Sequence, residues 1–148
     1  MKGRDGMALK KILVAYDGSD LAEKALDLAL DIAVPNTETA IDVVNVVPIP
    51  LLNETQAISF KEITDLMIED GEDTLCKTHD KIEPLGDRAN TLLLTGTAPA
   101  SELLKLASSG HYDLIVLGNR GLSGLKEYMG SVSYKVFHGA DIPVLVAK

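Results

Sequence analysis

Lys11-Ile12-Leu13-Val14-Ala15-Tyr16 runs directly into Asp17-Gly18-Ser19, and this stretch sets the reading of the whole chain. An unbroken apolar run closed by an Asp-Gly-Ser turn describes a strand buried on both faces that hands over to a helix. The helix follows at once, because Leu21, Ala25, Leu28, Ala29 and Ile32 recur at helical spacing and Pro35 ends it. Ser19 or Asp20 is the expected N-cap, with Asp20 and Glu23 at the spacing of a capping box.

The same alternation continues outward to the end of the chain. Ala40–Val47 reads as a second strand, closed by Pro48 and Pro50. A long polar helix is expected from Glu54 to Ile82, with Phe60, Ile63, Met67, Leu75 and Ile82 as its apolar face. Gly71 weakens that helix by about 1 kcal/mol relative to Ala, which leaves room for a break near it. Ala89–Thr95 is a third strand, and Pro99 opens a helix that runs to Ser109 with Gly110 as its C-cap. Tyr112–Leu117 is the fourth strand, Ser131–His138 a short helix, and Pro143–Ala147 the fifth strand. Strands with continuous apolar cores, alternating with helices, imply an α/β protein: a single-domain, open, five-stranded parallel sheet with helices on both faces. The domain is expected over residues 10–148, with residues 1–9 as a flexible tail.

Composition narrows the partners. The 148 residues are 46% apolar and 24% charged, the size and balance of one globular domain. With two Phe, four Tyr and no Trp, the core must be built from aliphatic side chains. A net charge of −8 argues against nucleic acid, whose phosphates require a basic surface. Cys76 is the only cysteine, which excludes an internal disulfide and a thiol-rich metal site and fits a reducing cytosol. No signal-peptide core follows Lys2 and Arg4, and no run reaches the ~18–20 apolar residues of a membrane span, so a cytoplasmic protein without a membrane partner is expected. His79, His111 and His138 share no metal-ligand spacing, and none falls at a strand end where a Ser-His-Asp set could form.

In a parallel sheet of this kind ligands bind beyond the C-terminal ends of the strands. Two such ends carry candidate chemistry. One is Tyr16-Asp17-Gly18-Ser19; the other begins at Gly118-Asn119-Arg120-Gly121 and runs to Gly130-Ser131-Val132-Ser133. Gly118 and Gly121 offer backbone angles closed to other residues and close approach to the main chain. Gly130-Ser131 opens a helix whose free N–H groups and positive dipole end favour an anion, and Ser131 and Ser133 add hydroxyl donors. These parts form a phosphate cradle that needs no net positive charge, although each alone also reads as a turn and an N-cap.

The set of motifs resembles the universal stress protein family. Gly118 to Ser133 is similar to its nucleotide loop, G-x2-G-x9-G-[ST], while ILVAYDGS, DLIVLGNRG and IPVLVAK resemble its first, fourth and fifth strands. The resemblance covers about residues 10 to 148. Two departures stand out: eight residues instead of nine separate Gly121 from Gly130, and Gly96-Thr97-Ala98-Pro99 is one residue longer than the family's G-x-P turn. The resemblance implies an adenine-nucleotide alpha hydrolase-like sheet of strand order 3-2-1-4-5. It implies ATP, or ADP or AMP, with or without Mg, as the ligand. Gly118, Gly121, Gly130, Ser131 and the Val132 backbone would contact ribose and phosphates, and Val46 would offer its backbone to adenine. Asp17 would sit by the adenosine end, or simply cap a helix. Arg120 would lean over the phosphates or remain in solvent.

Two functions follow. One is a nucleotide-binding regulatory protein of the stress response; the other is a dimeric interaction module of the same fold without useful nucleotide affinity. In both, the edge strand Val144–Ala147 is expected to join two copies into a homodimer. No residue is placed as a general base, so binding with at most slow ATP hydrolysis is expected, rather than an enzyme. Lys126 and Glu127 read as surface charges.

Overall fold

A computed structural model describes residues 8–121 and 129–148. The expected tail therefore lies largely outside the described residues, as do Lys126 and Glu127. Five parallel strands stand in the order β3-β2-β1-β4-β5, where β1 is Lys11–Ala15, β2 Ala40–Pro48, β3 Ala89–Gly96, β4 Leu114–Gly118 and β5 Val144–Ala147. The predicted order and class are those observed. Strand ends differ from the expected ones by one or two residues, most at β4, which begins at Leu114, just after Asp113, whose carboxylate accepts from the Lys10 and Lys11 N–H groups.

Alternation along β1 builds the two halves of the core. Ile12 and Val14 face α1 (Asp20–Ala33), packing with Ala25, Leu26 and Ala29, while Leu13 faces the opposite layer with Leu103, Ile115 and Val136. That second layer is α5 (Pro99–Ser109) and α6 (Ser131–Gly139). Because both faces are covered, the central strand positions must be apolar, which is why β1 and β4 show no polar alternation. Each fully buried Leu or Ile here contributes about 1.5–3 kcal/mol through burial.

The segment expected as one long helix is three: α2 (Glu54–Ser59), α3 (Lys61–Cys76) and α4 (His79–Ile82), followed by a 3₁₀ segment, Glu83–Arg88. The breaks fall at Phe60 and at residues 77–78, and none occurs at Gly71. Asn53 starts α2 through a capping box with Gln56. Thr78 ends α3 by turning its buried hydroxyl back to the Leu75 carbonyl at 2.7 Å. Gly71 is a point of close approach instead: a Cβ there would lie 2.7 Å from Val47 Cγ2 and 2.8 Å from Leu93 Cδ1. The expected apolar face is also only half right. Leu75 and Ile82 are buried, whereas Phe60 and Ile63 are exposed.

At the N-cap of α1 the two expected alternatives resolve to Ser19, whose Oγ accepts from the Ala22 N–H at 3.1 Å. The Asp20–Glu23 box does not form, because Glu23 turns to other partners. Gly110 is the C-cap of α5, but the left-handed residue there is His111, with φ 56°. No helix among the described residues is long and apolar enough to cross a membrane.

Candidate functional site

Strand order reverses beside β1, because the chain leaves β1 for β2 on one side and later places β4 on the other. The crevice between the C-terminal ends of these strands is a cleft of about 440 Å³. A volume of that size falls within the range of small-molecule sites, roughly 300–1,000 Å³. Five separate pieces of chain reach it: the end of β1 with the turn into α1, the end of β2, the start of α5, the end of β4 with the turn after it, and the start of α6. All of Asp17, Val46, Gly118, Arg120, Gly121, Gly130, Ser131, Val132 and Ser133 line it.

At the end of β1, Tyr16 still bonds to β2 through its N–H to the Val44 carbonyl, 2.8 Å, and then the chain turns away. Asn45 holds that turn, donating from Nδ2 to the Tyr16 carbonyl at 2.9 Å. Gly18 completes it at φ 83°, an angle few other residues adopt. Asp17 Oδ1 accepts from the Ser19 N–H at 3.0 Å, so one oxygen does cap the turn, as the plainer reading of Asp17 held. The other faces Gly121: a Cβ on Gly121 would lie 2.5 Å from Asp17 Oδ2.

Val46 is placed by register. In a parallel ladder the N–H and C=O of one residue point to the same side, and the side alternates along the strand. Val44 points to β1, so Val46 does too, yet the β1–β2 register ends at Ala15–Val44. The Val46 backbone therefore faces the cleft where its neighbouring strand has stopped.

The turn after β4 is closed at its neck. The Asn119 N–H donates to the Ala147 carbonyl at 2.7 Å, and the Gly130 N–H donates back to the Asn119 carbonyl at 2.8 Å. The segment missing one residue relative to the family pattern lies mostly outside the described residues, but both of its anchors sit together in one cleft. The glycines serve space and not unusual angles, which corrects the expectation from sequence. Among the described residues only Gly18 and Gly86 have positive φ among glycines. A Cβ on Gly118 would come 2.8 Å from Leu21 Cβ, and one on Gly130 would come 3.1 Å from the Arg120 Cα.

Gly130 caps α6 without a side chain, and helix geometry leaves the N–H groups of Ser131, Val132 and Ser133 without intrahelical acceptors. They mark the positive end of the α6 dipole at the cleft. Ser133 departs from expectation: its buried Oγ donates to the Gly118 carbonyl at 2.6 Å, joining α6 to β4. That hydroxyl is a structural tie and not a free donor, whereas Ser131 stays exposed at the mouth. Arg120 is half-buried at the rim, with no carboxylate among the described residues within ion-pair distance.

Several lining residues were not anticipated from the sequence. Ala15, Val44, Pro99, Leu103 and Leu117 form an apolar wall opposite the polar turns. Their one-dimensional pattern is that of core residues, and only the helix start at Pro99 beside a strand end marks them as lining. Behind the cleft, the Tyr16 hydroxyl donates to Glu23 Oε2, and Glu23 Oε1 accepts from Lys81 Nζ at 2.8 Å. Burial, then the neighbouring carboxylate, pushes the Tyr16 hydroxyl well above its usual range. Burial alone would raise Glu23, but hydrogen bonds from Lys81 and Tyr16 outweigh it and hold the carboxyl below its usual value.

The comparisons with known proteins agree with this geometry. A sequence profile of the universal stress protein family matches residues 8–148. Universal stress protein YxiE of Bacillus subtilis is 36% identical, over 93% of this chain and 98% of its own length. The fold is that of universal stress protein UspA from Lactobacillus plantarum, with a TM-score of 0.82 at 22% identity, covering 95% of this chain and 98% of that one. A universal stress protein solved in complex with cAMP superimposes with a TM-score of 0.70 at 25% identity, covering 94% and 97%. The chain belongs to the universal stress protein family.

Proposed function

We propose that this protein binds ATP, or a related adenine nucleotide, in the cleft at the ends of β1, β2 and β4, and acts as a regulatory protein of the stress response. The observation that carries the reading is the convergence of three unlike surfaces on one cleft. The apolar wall of Ala15, Val44, Pro99, Leu103 and Leu117 suits a base; the outward-facing Val46 backbone offers it a donor and an acceptor. The start of α6 offers N–H groups to phosphates, with Arg120 at the rim. Asp17 Oδ2 repels phosphate but accepts from a hydroxyl or amino group, which orients the ligand with its nucleoside toward β1 and its phosphates toward α6. The relative in complex with cAMP supports the ligand class. Mg would ride with the phosphates and not on a protein cage.

The proposed role is occupancy and not turnover. Among the described residues lining the cleft the one carboxylate, Asp17, already accepts from the Ser19 N–H through one of its oxygens. A cytosolic setting fits the lone free thiol, Cys76. The β5 edge, paired among the described residues only with β4, supports association of two copies through Val144–Ala147.

Titration calorimetry with Mg-ATP and AMP tests the reading. Binding is expected, and phosphate release is expected far below the ~10 per second of a median enzyme. No heat at millimolar nucleotide would leave the interaction module as the function. Turnover near the median rate would make the protein an enzyme. Sedimentation showing a monomer at micromolar concentration would remove the β5 dimer.

A further inference from the structure

The crossover from β2 to β3 carries more helix than the sheet can cover. Gly71 of α3 packs against Val47 and Leu93, near the C-terminal ends of β2 and β3, and only Gly71 and Leu75 of α3 are buried. α2 buries nothing. The ten residues of α3 before Gly71 therefore extend about 15 Å past that contact at 1.5 Å per residue. On this arm Leu51 is 89% exposed, Ile58 79%, Leu66 65%, Ile63 52% and Phe60 44%. Ile63 and Leu66 stand three apart, on neighbouring positions of one helix surface. Five large apolar side chains exposed within residues 51–66 mark an interaction site.

Charge identifies the occupant. Residues 51–73 hold seven carboxylates, Glu54, Glu62, Asp65, Glu69, Asp70, Glu72 and Asp73, against the single cation Lys61, which is paired with Asp65 at 2.7 Å. The arm thus carries a net −6 of the chain's −8. Two such arms repel each other, and an anionic lipid surface repels one. A cationic amphipathic helix satisfies both the apolar row and its acidic rim, in the helix-on-surface mode of peptide recognition. We propose that the α2–α3 arm is a docking surface for a basic amphipathic helical segment of another protein.

The test uses the full chain and a fluorescent Leu/Lys amphipathic helix of about twenty residues, read by anisotropy. Wild type is expected to bind it, and a scrambled peptide of the same composition about tenfold more weakly. Ile63→Ser with Leu66→Ser should weaken binding at least tenfold while circular dichroism and thermal unfolding stay unchanged, since both side chains are largely exposed. Glu69→Gln with Asp70→Asn should reduce the salt dependence of binding. Equal affinity for the scrambled peptide would overturn the proposal, reducing the arm to a charge patch. Undiminished binding by the double Ser variant, or no binding by wild type, would also overturn it. Self-association lost in the double Ser variant, or binding to vesicles of anionic phospholipid, would assign the surface to a second copy or a membrane instead.

Discussion

The two ends of the sheet are built on opposite terms. At the N-terminal end of the strands, charged side chains consume backbone groups. Arg88 Nη1 lies 2.9, 2.9 and 2.8 Å from the carbonyls of Ala33, Asn36 and Thr39, which closes the C-terminus of α1 and the turn into β2. Asp113 Oδ2 accepts from the N–H groups of Lys10 and Lys11, and Lys11 Nζ donates to the Gly110 carbonyl at 2.9 Å. Tyr112 closes the same end, donating to Asp42 Oδ2 at 2.6 Å. At the C-terminal end, among the described residues, hydrogen bonds fix the necks of the turns and tie the starts of α1 and α6. The Val46 backbone and the first N–H groups of α6 are left facing a cleft. One end spends its charged side chains on holding the fold; the other keeps backbone donors and acceptors turned to the cleft, where the nucleotide is proposed to bind. A parallel sheet imposes this division, because its crossover loops splay apart only where strand order reverses.

Arg88→Ala should give the largest effect, and at the N-terminal end of the strands alone. Three carbonyls lose a charged donor, so unfolding in urea is expected to show a loss of about 2–3 kcal/mol. Nucleotide affinity should stay within about twofold, less than the 1.4 kcal/mol that a tenfold change represents. A parallel loss of affinity would break the division between the ends.

Gly121→Ala should do the reverse. Its Cβ would meet Asp17 Oδ2 at 2.5 Å, displacing the carboxylate proposed to orient the nucleoside. Calorimetry is expected to show ATP binding weakened about tenfold, or roughly 1.4 kcal/mol, with unfolding stability changed by less than that. Gly130→Val is a blunter probe, because a side chain there also presses on the Arg120 backbone and opens the neck of the turn.

Tyr16→Phe sits between the two ends. It removes one donor to Glu23 and should cost about 1 kcal/mol in denaturant unfolding. Affinity should hold, because the Tyr16 groups next to the cleft are backbone ones held by Asn45 and Val44. A large loss of affinity would mean that the network behind β1 belongs to the site.

Lys81→Met should have the smallest effect, below about 1 kcal/mol, since Lys81 pairs with Glu23 and Asp27 in partly exposed positions. Its sign with pH is determined. Glu23 is held below its usual value, so its contribution is present above about pH 4.3 and is lost as pH falls through the folded value. Lys81 is held above its usual value by Glu23 and Asp27, so its contribution is full below about pH 10.4 and is lost as pH rises through the folded value. Stability measured across the neutral range should therefore be flat in wild type, and the acid-side slope should become shallower in Lys81→Met. An unchanged acid slope would remove Glu23 from the account.

Much of this was already written in the order of residues. Continuous apolar runs at Ile12–Tyr16 and Leu114–Leu117 leave no polar face, so helices must cover both sides of the sheet; turn glycines and the Ser131 helix start mark the strand ends that line the cleft. Local chemistry carries such features because strand burial and helix capping depend on neighbours in sequence. Tertiary structure alone decided others. It made Gly71 a packing contact with Val47 and Leu93, where helix propensity suggested a break. It spent the Ser133 hydroxyl on the Gly118 carbonyl, fifteen residues away in sequence. It turned Phe60 and Ile63 outward, because the sheet ends before α3 does. Each of these depends on what stands across the sheet from a residue, and helical or strand periodicity records only that one face is apolar, not where the surface meant to cover it stops.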